Sequence, residues 1–220
     1  IALIDYKAGN LTSVKKALAT IGATVFVPAT PGELADAQGI IVPGVGHFGA
    51  TRALDAEWTA AILERIGEGR PVLGICLGMQ WLFEGSEEAP ECPGLGLLAG
   101  RCYKLGQVRL KADITDQRAS GSGSVRLQPD HAIKIPHVGW NSLDLRREAS
   151  IVDGVPHGAQ VYFTHSYVAP VTDDAVAVTE HGEPFAAIVQ HGHVTGVQFH
   201  PEKSGDAGLR ILKNFLDLVR

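Results

Sequence analysis

The segment Val72-Leu73-Gly74-Ile75-Cys76-Leu77-Gly78-Met79-Gln80 constrains this chain more than any other. An apolar run of strand type, Val72 to Ile75, ends in a cysteine with a glycine two places to either side, and an amphipathic segment starts at Leu77. Gly-x-Cys-x-Gly is the thiol version of a nucleophile elbow, a tight strand-to-helix turn that pushes one side chain out above a sheet. A Cβ at either glycine would clash as such a turn closes. A helix N-terminus behind the sulfur would favour negative charge and should lower the thiol pKa. The backbone N–H of Leu77 would point where an oxyanion forms. The plainer alternative is a small apolar cysteine at a buried strand end, the usual place of a free thiol. The motif alone leaves both open.

An elbow needs a sheet, and the first half of the chain reads as one. Ala2-Leu3-Ile4 is a buried strand, followed by the loop Asp5-Tyr6-Lys7-Ala8-Gly9. Asn10 is suited to N-cap a helix from Leu11 to Ile21, whose Leu11, Val14, Leu18 and Ile21 share a face. Thr24 to Val27 reads as a second strand, Pro31 opens a helical turn, and Ile40-Ile41-Val42 is a strand apolar on both faces. Pro43-Gly44-Val45-Gly46 closes that strand, and a helix around Trp58 to Ile66 leads to the strand before Cys76. This alternation predicts an α/β fold: a mostly parallel, doubly wound sheet flanked by helices. Such sheets bind ligands beyond the carboxyl ends of their strands, where the Asp5 loop, the Gly44 loop and Cys76 all fall.

The second half predicts a smaller antiparallel sheet. Ile135 to Leu145 and Gln160 to Val168 read as strands. Ala175–Thr179, Ala186–Gln190 and Thr195–Phe199 read as a meander, and a final helix from about Ser204 carries the stripe Leu209, Leu212, Phe215, Leu216 and Val219. Alternation on either side of Ala119-Ser120-Gly121-Ser122-Gly123-Ser124 marks residues 107–131 as a surface insertion in a single domain spanning 1–220. The 220 residues, 45% hydrophobic and 20% charged, suffice for one sizeable core. A net charge of −5 with no basic block argues against nucleic acid as partner. Cys76, Cys92 and Cys102 form no Cys-x-x-Cys pair and suit a reducing, cytoplasmic setting. No apolar run reaches the ~20 residues of a membrane span. Ile1 to Ile4 is too short for a signal segment, and the missing initiator Met suggests a trimmed start.

A nucleophilic cysteine needs a base within reach and a group to orient it. His47, His131, His157, His181, His191 and His193 stand in loop contexts where a solvated surface histidine is the default, and they show no zinc spacing, so no metal is expected. His200 differs, because it ends the strand Thr195–Phe199 and is followed by Pro201 and Glu202. The nearby carboxylate could orient the imidazole. Alternatively, His200-Pro201-Glu202 is a turn that starts a helix.

Gly74-Ile75-Cys76-Leu77-Gly78-Met79-Gln80 followed near the C-terminus by His200-Pro201-Glu202 resembles the class I (triad) glutamine amidotransferases over nearly the whole chain. The stretches Asp5 to Val14, Pro43 to Phe48, Pro136 to Asn141 and His200 to Ser204 are similar to the glutaminase subunits of imidazole glycerol phosphate synthases. The resemblance implies that Cys76, His200 and Glu202 are catalytic, with an oxyanion held by the N–H groups of Leu77 and of the Gly44–Val45 loop. It implies a glutamine site of Gly46, Gln80, His165, Ser166 and Tyr167, and a surface near Lys7, Asn10, Trp140 and Asn141 for a (β/α)8 cyclase subunit. Trp140 as ordinary core is the alternative there. It implies no cofactor. In this family the 43–46 loop has to rearrange before its N–H faces the oxyanion, which two glycines flanking Val45 would ease. Two other readings remain: the glutaminase subunit of another amidotransferase, such as pyridoxal phosphate synthase, and a free-standing γ-glutamyl or peptide hydrolase. A non-catalytic module is disfavoured by the intact Cys76, His200 and Glu202.

Overall fold

The computed structural model describes residues 1–106 and 133–219, so the insertion expected at 107–131 lies outside the described residues. The strands are β1 (Ala2–Leu3), β2 (Ile40–Val42), β3 (Val72–Ile75), β4 (Tyr103–Lys104), β5 (His137–Ser142), β6 (Asp144–Leu145), β7 (Gln160–His165), β8 (Tyr167–Val168), β9 (Ala175–Glu180), β10 (Pro184–His191) and β11 (Val194–Val197). The α-helices are α1 (Leu11–Thr20), α2 (Ala56–Gly67), α3 (Leu77–Trp81) and α4 (Gly205–Leu218). A seven-stranded sheet runs β1-β2-β3-β11-β10-β9-β6. β1, β2, β3 and β11 are parallel, and β10, β9 and β6 extend them by antiparallel pairing, so five of the seven strands point the same way. The meander expected from Ala175 onward therefore completes the main sheet. The two small antiparallel sheets are β4–β8 and β5–β7.

Alternation along the parallel strands divides the core. Leu3, Ile41, Leu73 and Ile75 face Val14 and Leu18 of α1 and Ile211 and Phe215 of α4. Ala2, Ile40, Val42 and Val72 face Leu34 and Ile62 on the opposite side. Each such buried aliphatic or aromatic side chain contributes roughly 1.5–3 kcal/mol. Asp55 fixes the start of α2 by accepting from the N–H groups of Glu57 (3.0 Å) and Trp58 (3.1 Å).

Several local expectations are corrected. Thr24 to Val27 is not a strand; it contributes one bridge, Phe26 to Ala2. Residues 135–145 split at the buried Leu143, since β5 pairs with β7 while β6 crosses to β9. The expected strand Gln160–Val168 breaks at Ser166, because β7 pairs with β5 and β8 with β4. α3 is not amphipathic: all five of its residues are buried, with Met79 packed in a third cluster under β10 and β11. Asn10 begins α1 without capping it, its backbone being left-handed (φ 65°) and its side chain engaged elsewhere.

Candidate active site

The site lies at the carboxyl end of β3. Cys76 is held at φ 52° and ψ −105°, a conformation that non-glycine residues avoid and that the surrounding turn has to impose. Its N–H donates to Val197 O (2.8 Å), and its carbonyl accepts from Gln80 N–H (3.0 Å) as α3 begins. A Cβ on Gly78 would stand 1.8 Å from Val42 O, and one on Gly74 would stand 2.6 Å from Gly78 O, so both glycines are required by contact.

His200 and Glu202 arrive from the end of β11. The turn that carries them is tied to β7: His200 N–H donates to Tyr162 O (2.9 Å), and Ser204 Oγ accepts from Tyr162 N–H (2.9 Å) while donating to His200 O (2.6 Å). His200 Nδ1 lies 2.8 Å from Glu202 Oε1, with both side chains essentially sealed from solvent. Asn10 Nδ2 donates to the same carboxylate oxygen. His200 Nε2 makes no hydrogen bond of ordinary geometry among the described residues, but the Cys76 sulfur is close enough to act on the ring. Burial works to lower the His200 pKa; Cys76 and Glu202 together outweigh it and raise the pKa to about 9. Gln198 Nε2 donates to Cys76 Sγ at 3.6 Å. His200, Glu202 and the Asn10 amide thus form one chain of contacts, with Cys76 acting on the imidazole from beside it.

Neither of the two N–H groups expected to bind an oxyanion is free. Leu77 N–H donates to Gly44 O (3.3 Å), and Val45 N–H donates to Ala8 O (2.7 Å). The Gly44–Val45 peptide thus turns its carbonyl, not its amide, toward the elbow. The cavity beside Cys76 is correspondingly small, about 50 Å³, against the roughly 300–1,000 Å³ of an ordinary small-molecule site. Gly46, Gln80, His165, Ser166 and Tyr167 all line it, together with Leu77, Thr164 and Glu88. A far larger depression, about 1,070 Å³, lies between α4 and the Ser150–Val152 turn and contains none of these groups.

Gln80 is not a solvated helix residue. It is buried, and its amide nitrogen donates to Tyr167 O (2.9 Å) and Gln198 Oε1 (3.1 Å), joining the elbow to β8 and to the residue after β11. The sequence reading missed Glu88, the carboxylate lining the cavity, whose Oε2 accepts from Phe48 N–H at 2.6 Å. An acidic side chain eight residues beyond Gln80 gave no local signal of this position. It also missed a buried histidine pair. Asn141 Nδ2 lies 3.3 Å from His137 Nε2, and His137 Nδ1 lies 3.3 Å from His165 Nε2. If Asn141 donates, His137 carries its proton on Nδ1 and passes a hydrogen bond to His165. Burial, then nearby histidines, holds the His165 pKa well below the ordinary value; burial and His181 lower that of His137 to about 4. His181 is no free surface histidine, since it stacks on His137 at 4.1 Å. His193 is partly buried and hydrogen-bonded to Ile66 O, and His131 lies outside the described residues.

Of the four expected interface residues, Lys7 is exposed and pairs with Asp5 (3.0 Å). Trp140 is 56% exposed, which excludes the core alternative, and stands edge-on to Tyr162 beside the 54%-exposed Val138. Asn141 is on the opposite face of β5 from Trp140, bonded to Glu180 O (2.9 Å), and Asn10 donates to Glu202. None of the described helices is long and apolar enough to cross a membrane.

A family profile described as glutamine amidotransferase class-I matches residues 2–219. Curated relatives named imidazole glycerol phosphate synthase subunit HisH include those of Moorella thermoacetica, 42% identical over 100% of this chain and 95% of theirs, and Shouchella clausii, 43% identical over 100% and 98%. Among solved structures, a chain titled as a glutamine amidotransferase superposes with a TM-score of 0.70 at 19% identity, covering 100% of this chain and 98% of that one. The PurLQS structure from Thermotoga maritima gives 0.70 at 18%, with the same coverage. At such identity these two structures speak for the fold alone.

Proposed function

Because the chain belongs to the class-I glutamine amidotransferases, we propose that it is a single-domain glutaminase subunit of an imidazole glycerol phosphate synthase, acting in histidine biosynthesis. It hydrolyses glutamine to glutamate and ammonia, and a (β/α)8 cyclase subunit consumes the ammonia in making imidazole glycerol phosphate and AICAR. The observation that carries the chemistry is the sealed His200–Glu202 pair, raised in pKa by Cys76 at a strained elbow. The full-length relatives favour this acceptor over pyridoxal phosphate synthesis or a free-standing hydrolase.

In this mechanism the Cys76 thiolate attacks the side-chain amide carbon of glutamine. His200 gives a proton to the leaving nitrogen, and ammonia departs from a glutamyl thioester. Water then adds with His200 as base, releasing glutamate and the thiolate, while Glu202 fixes the imidazole tautomer and Asn10 steadies Glu202. Glu88 is the carboxylate suited to the substrate α-ammonium; Gly46, Gln80, His165, Ser166 and Tyr167 shape the remaining walls. Leu77 and Val45 N–H groups form the oxyanion hole only after the Gly44–Val45 peptide has turned. Docking of the cyclase with its nucleotide ligand favours the turned form, a population shift coupling two sites. The exposed Val138 and Trp140 fit the partner surface.

The test is a glutaminase assay of the chain alone, with the cyclase subunit, and with cyclase plus its nucleotide substrate. Strong stimulation by the last combination is expected. Full activity of the isolated chain would overturn the coupling, and none under any condition would overturn the assignment.

A further inference from the structure

Tyr6 follows β1 and is 5% exposed, yet its hydroxyl has no hydrogen-bond partner among the described residues. Buried polar groups seldom stand unpaired, and one that does calls for a functional explanation. The hydroxyl lies directly against the oxyanion loop: a Cβ on Gly44 would be 2.0 Å from Tyr6 Oη and 3.0 Å from Leu77 Cβ. Burial and then Cys76 raise the Tyr6 pKa, so the group keeps its proton and remains a donor.

The neighbouring peptide has the complementary need. In this structure Gly44 O accepts from Leu77 N–H and Val45 N–H donates to Ala8 O. Freeing both N–H groups requires the Gly44–Val45 peptide to turn, which deprives a carbonyl on a buried residue of its donor. Tyr6 Oη is an unpaired donor in contact with that residue. We propose that Tyr6 is a positioning residue for the oxyanion hole, its hydroxyl donating to Gly44 O once the peptide has turned. This rests on the glutaminase reading above and assigns the group that holds its active form. The hydroxyl is unsatisfied in the resting form and satisfied in the turned form, so on both counts it favours turning.

Tyr6→Phe keeps the ring and removes only the hydroxyl, which gives opposite signs for stability and turnover. Wild type and Tyr6→Phe are each assembled with the cyclase subunit and its nucleotide substrate and assayed for glutamine hydrolysis. The melting temperature of each chain without the cyclase, where the hydroxyl is unpaired, and the rate of Cys76 alkylation by iodoacetamide, a direct displacement that needs no oxyanion hole, are measured in parallel. The proposal expects kcat about tenfold lower, the loss of one hydrogen bond. It also expects an unchanged KM for glutamine, unchanged alkylation, and a melting temperature equal to or above wild type. An unchanged kcat would overturn it. So would a kcat loss accompanied by slower alkylation or a lower melting temperature, since Tyr6 would then be ordinary packing. A wild-type complex inert toward glutamine would overturn the glutaminase reading, and this proposal with it.

Discussion

β3 and β2 lie side by side in parallel, yet the turns that follow them are built on opposite lines. After β3 the chain closes into an elbow with every residue from Cys76 to Trp81 buried, a left-sided backbone angle at the nucleophile, and glycines that admit no Cβ. After β2, beyond the buried and closely packed Gly44, it passes through Val45 and Gly46, partly or fully exposed, and a Cβ on Gly46 would meet nothing within 4 Å. The elbow's sulfur acts on a histidine already paired with a carboxylate; the loop presents a carbonyl where the proposed chemistry needs an amide. On the proposed reading, chemical readiness resides in the rigid turn and control in the loose one, because a tight, strained turn cannot also be the moving part.

Removing the sulfur should have the largest effect. Cys76→Ala is expected to lower glutamine hydrolysis by about four orders of magnitude or more, while ammonia-dependent synthesis by the partner continues. Appreciable hydrolysis in that variant would break the assignment of the elbow. The contrast between the turns can be tested on stability next. Gly78→Ala drives a Cβ into Val42 O and should cost about 3 kcal/mol. Gly46→Ala meets no contact and pays only for its φ of 105°, about 1–2 kcal/mol. Equal losses in chemical denaturation would mean that the elbow is no tighter than the loop.

A fourth variant sharpens who moves the loop. Trp140→Ala should leave the stability of this chain within roughly 0.5 kcal/mol, as for other exposed positions. Its affinity for the cyclase subunit should fall by about 2 kcal/mol, the loss of an aromatic anchor. Titration calorimetry showing wild-type affinity would move the interface elsewhere.

How far the sequence carried depended on how local each feature is. The elbow was legible because two glycines and a cysteine in five residues encode their own turn. His200 and Glu202 were legible because a strand end places them at the same edge of the sheet. Asn10 was misread as a helix cap because its partner, Glu202, is 192 positions away and nothing near Asn10 announces it. The amphipathic reading of α3 failed because a third core cluster covers the side expected to meet water. Glu88 sits in a turn outside any strand, and the His137–His165 pair depends on the register of β5 against β7, neither of which alternation encodes. The state of the Gly44–Val45 peptide is a hydrogen-bond choice between Ala8 and the oxyanion, and composition is silent on it.

The Asp5–Asn10 loop serves both turns, and it yields the finest test. Its Ala8 carbonyl holds Val45 N–H, and its Asn10 amide holds Glu202. Asn10→Gly retains the left-handed backbone (φ 65°) and removes only the side-chain bond, so geometry and hydrogen bonding are separated. Glutamine hydrolysis should fall about tenfold, the effect of one charge-assisted hydrogen bond. With Glu202 less firmly held, His200 should titrate below its value of about 9, measurable by NMR of the imidazole. Because that value lies above the ordinary 6.5, the paired proton stabilises the fold fully below about pH 6.5. The contribution is lost as pH rises through about 9, and Asn10→Gly should shrink the alkaline loss over that window. The factor by which the cyclase stimulates hydrolysis should not change, since the Ala8–Val45 bond remains. If that factor changes with the triad, the two turns are coupled through this loop, and the division between a ready elbow and a controlling loop fails.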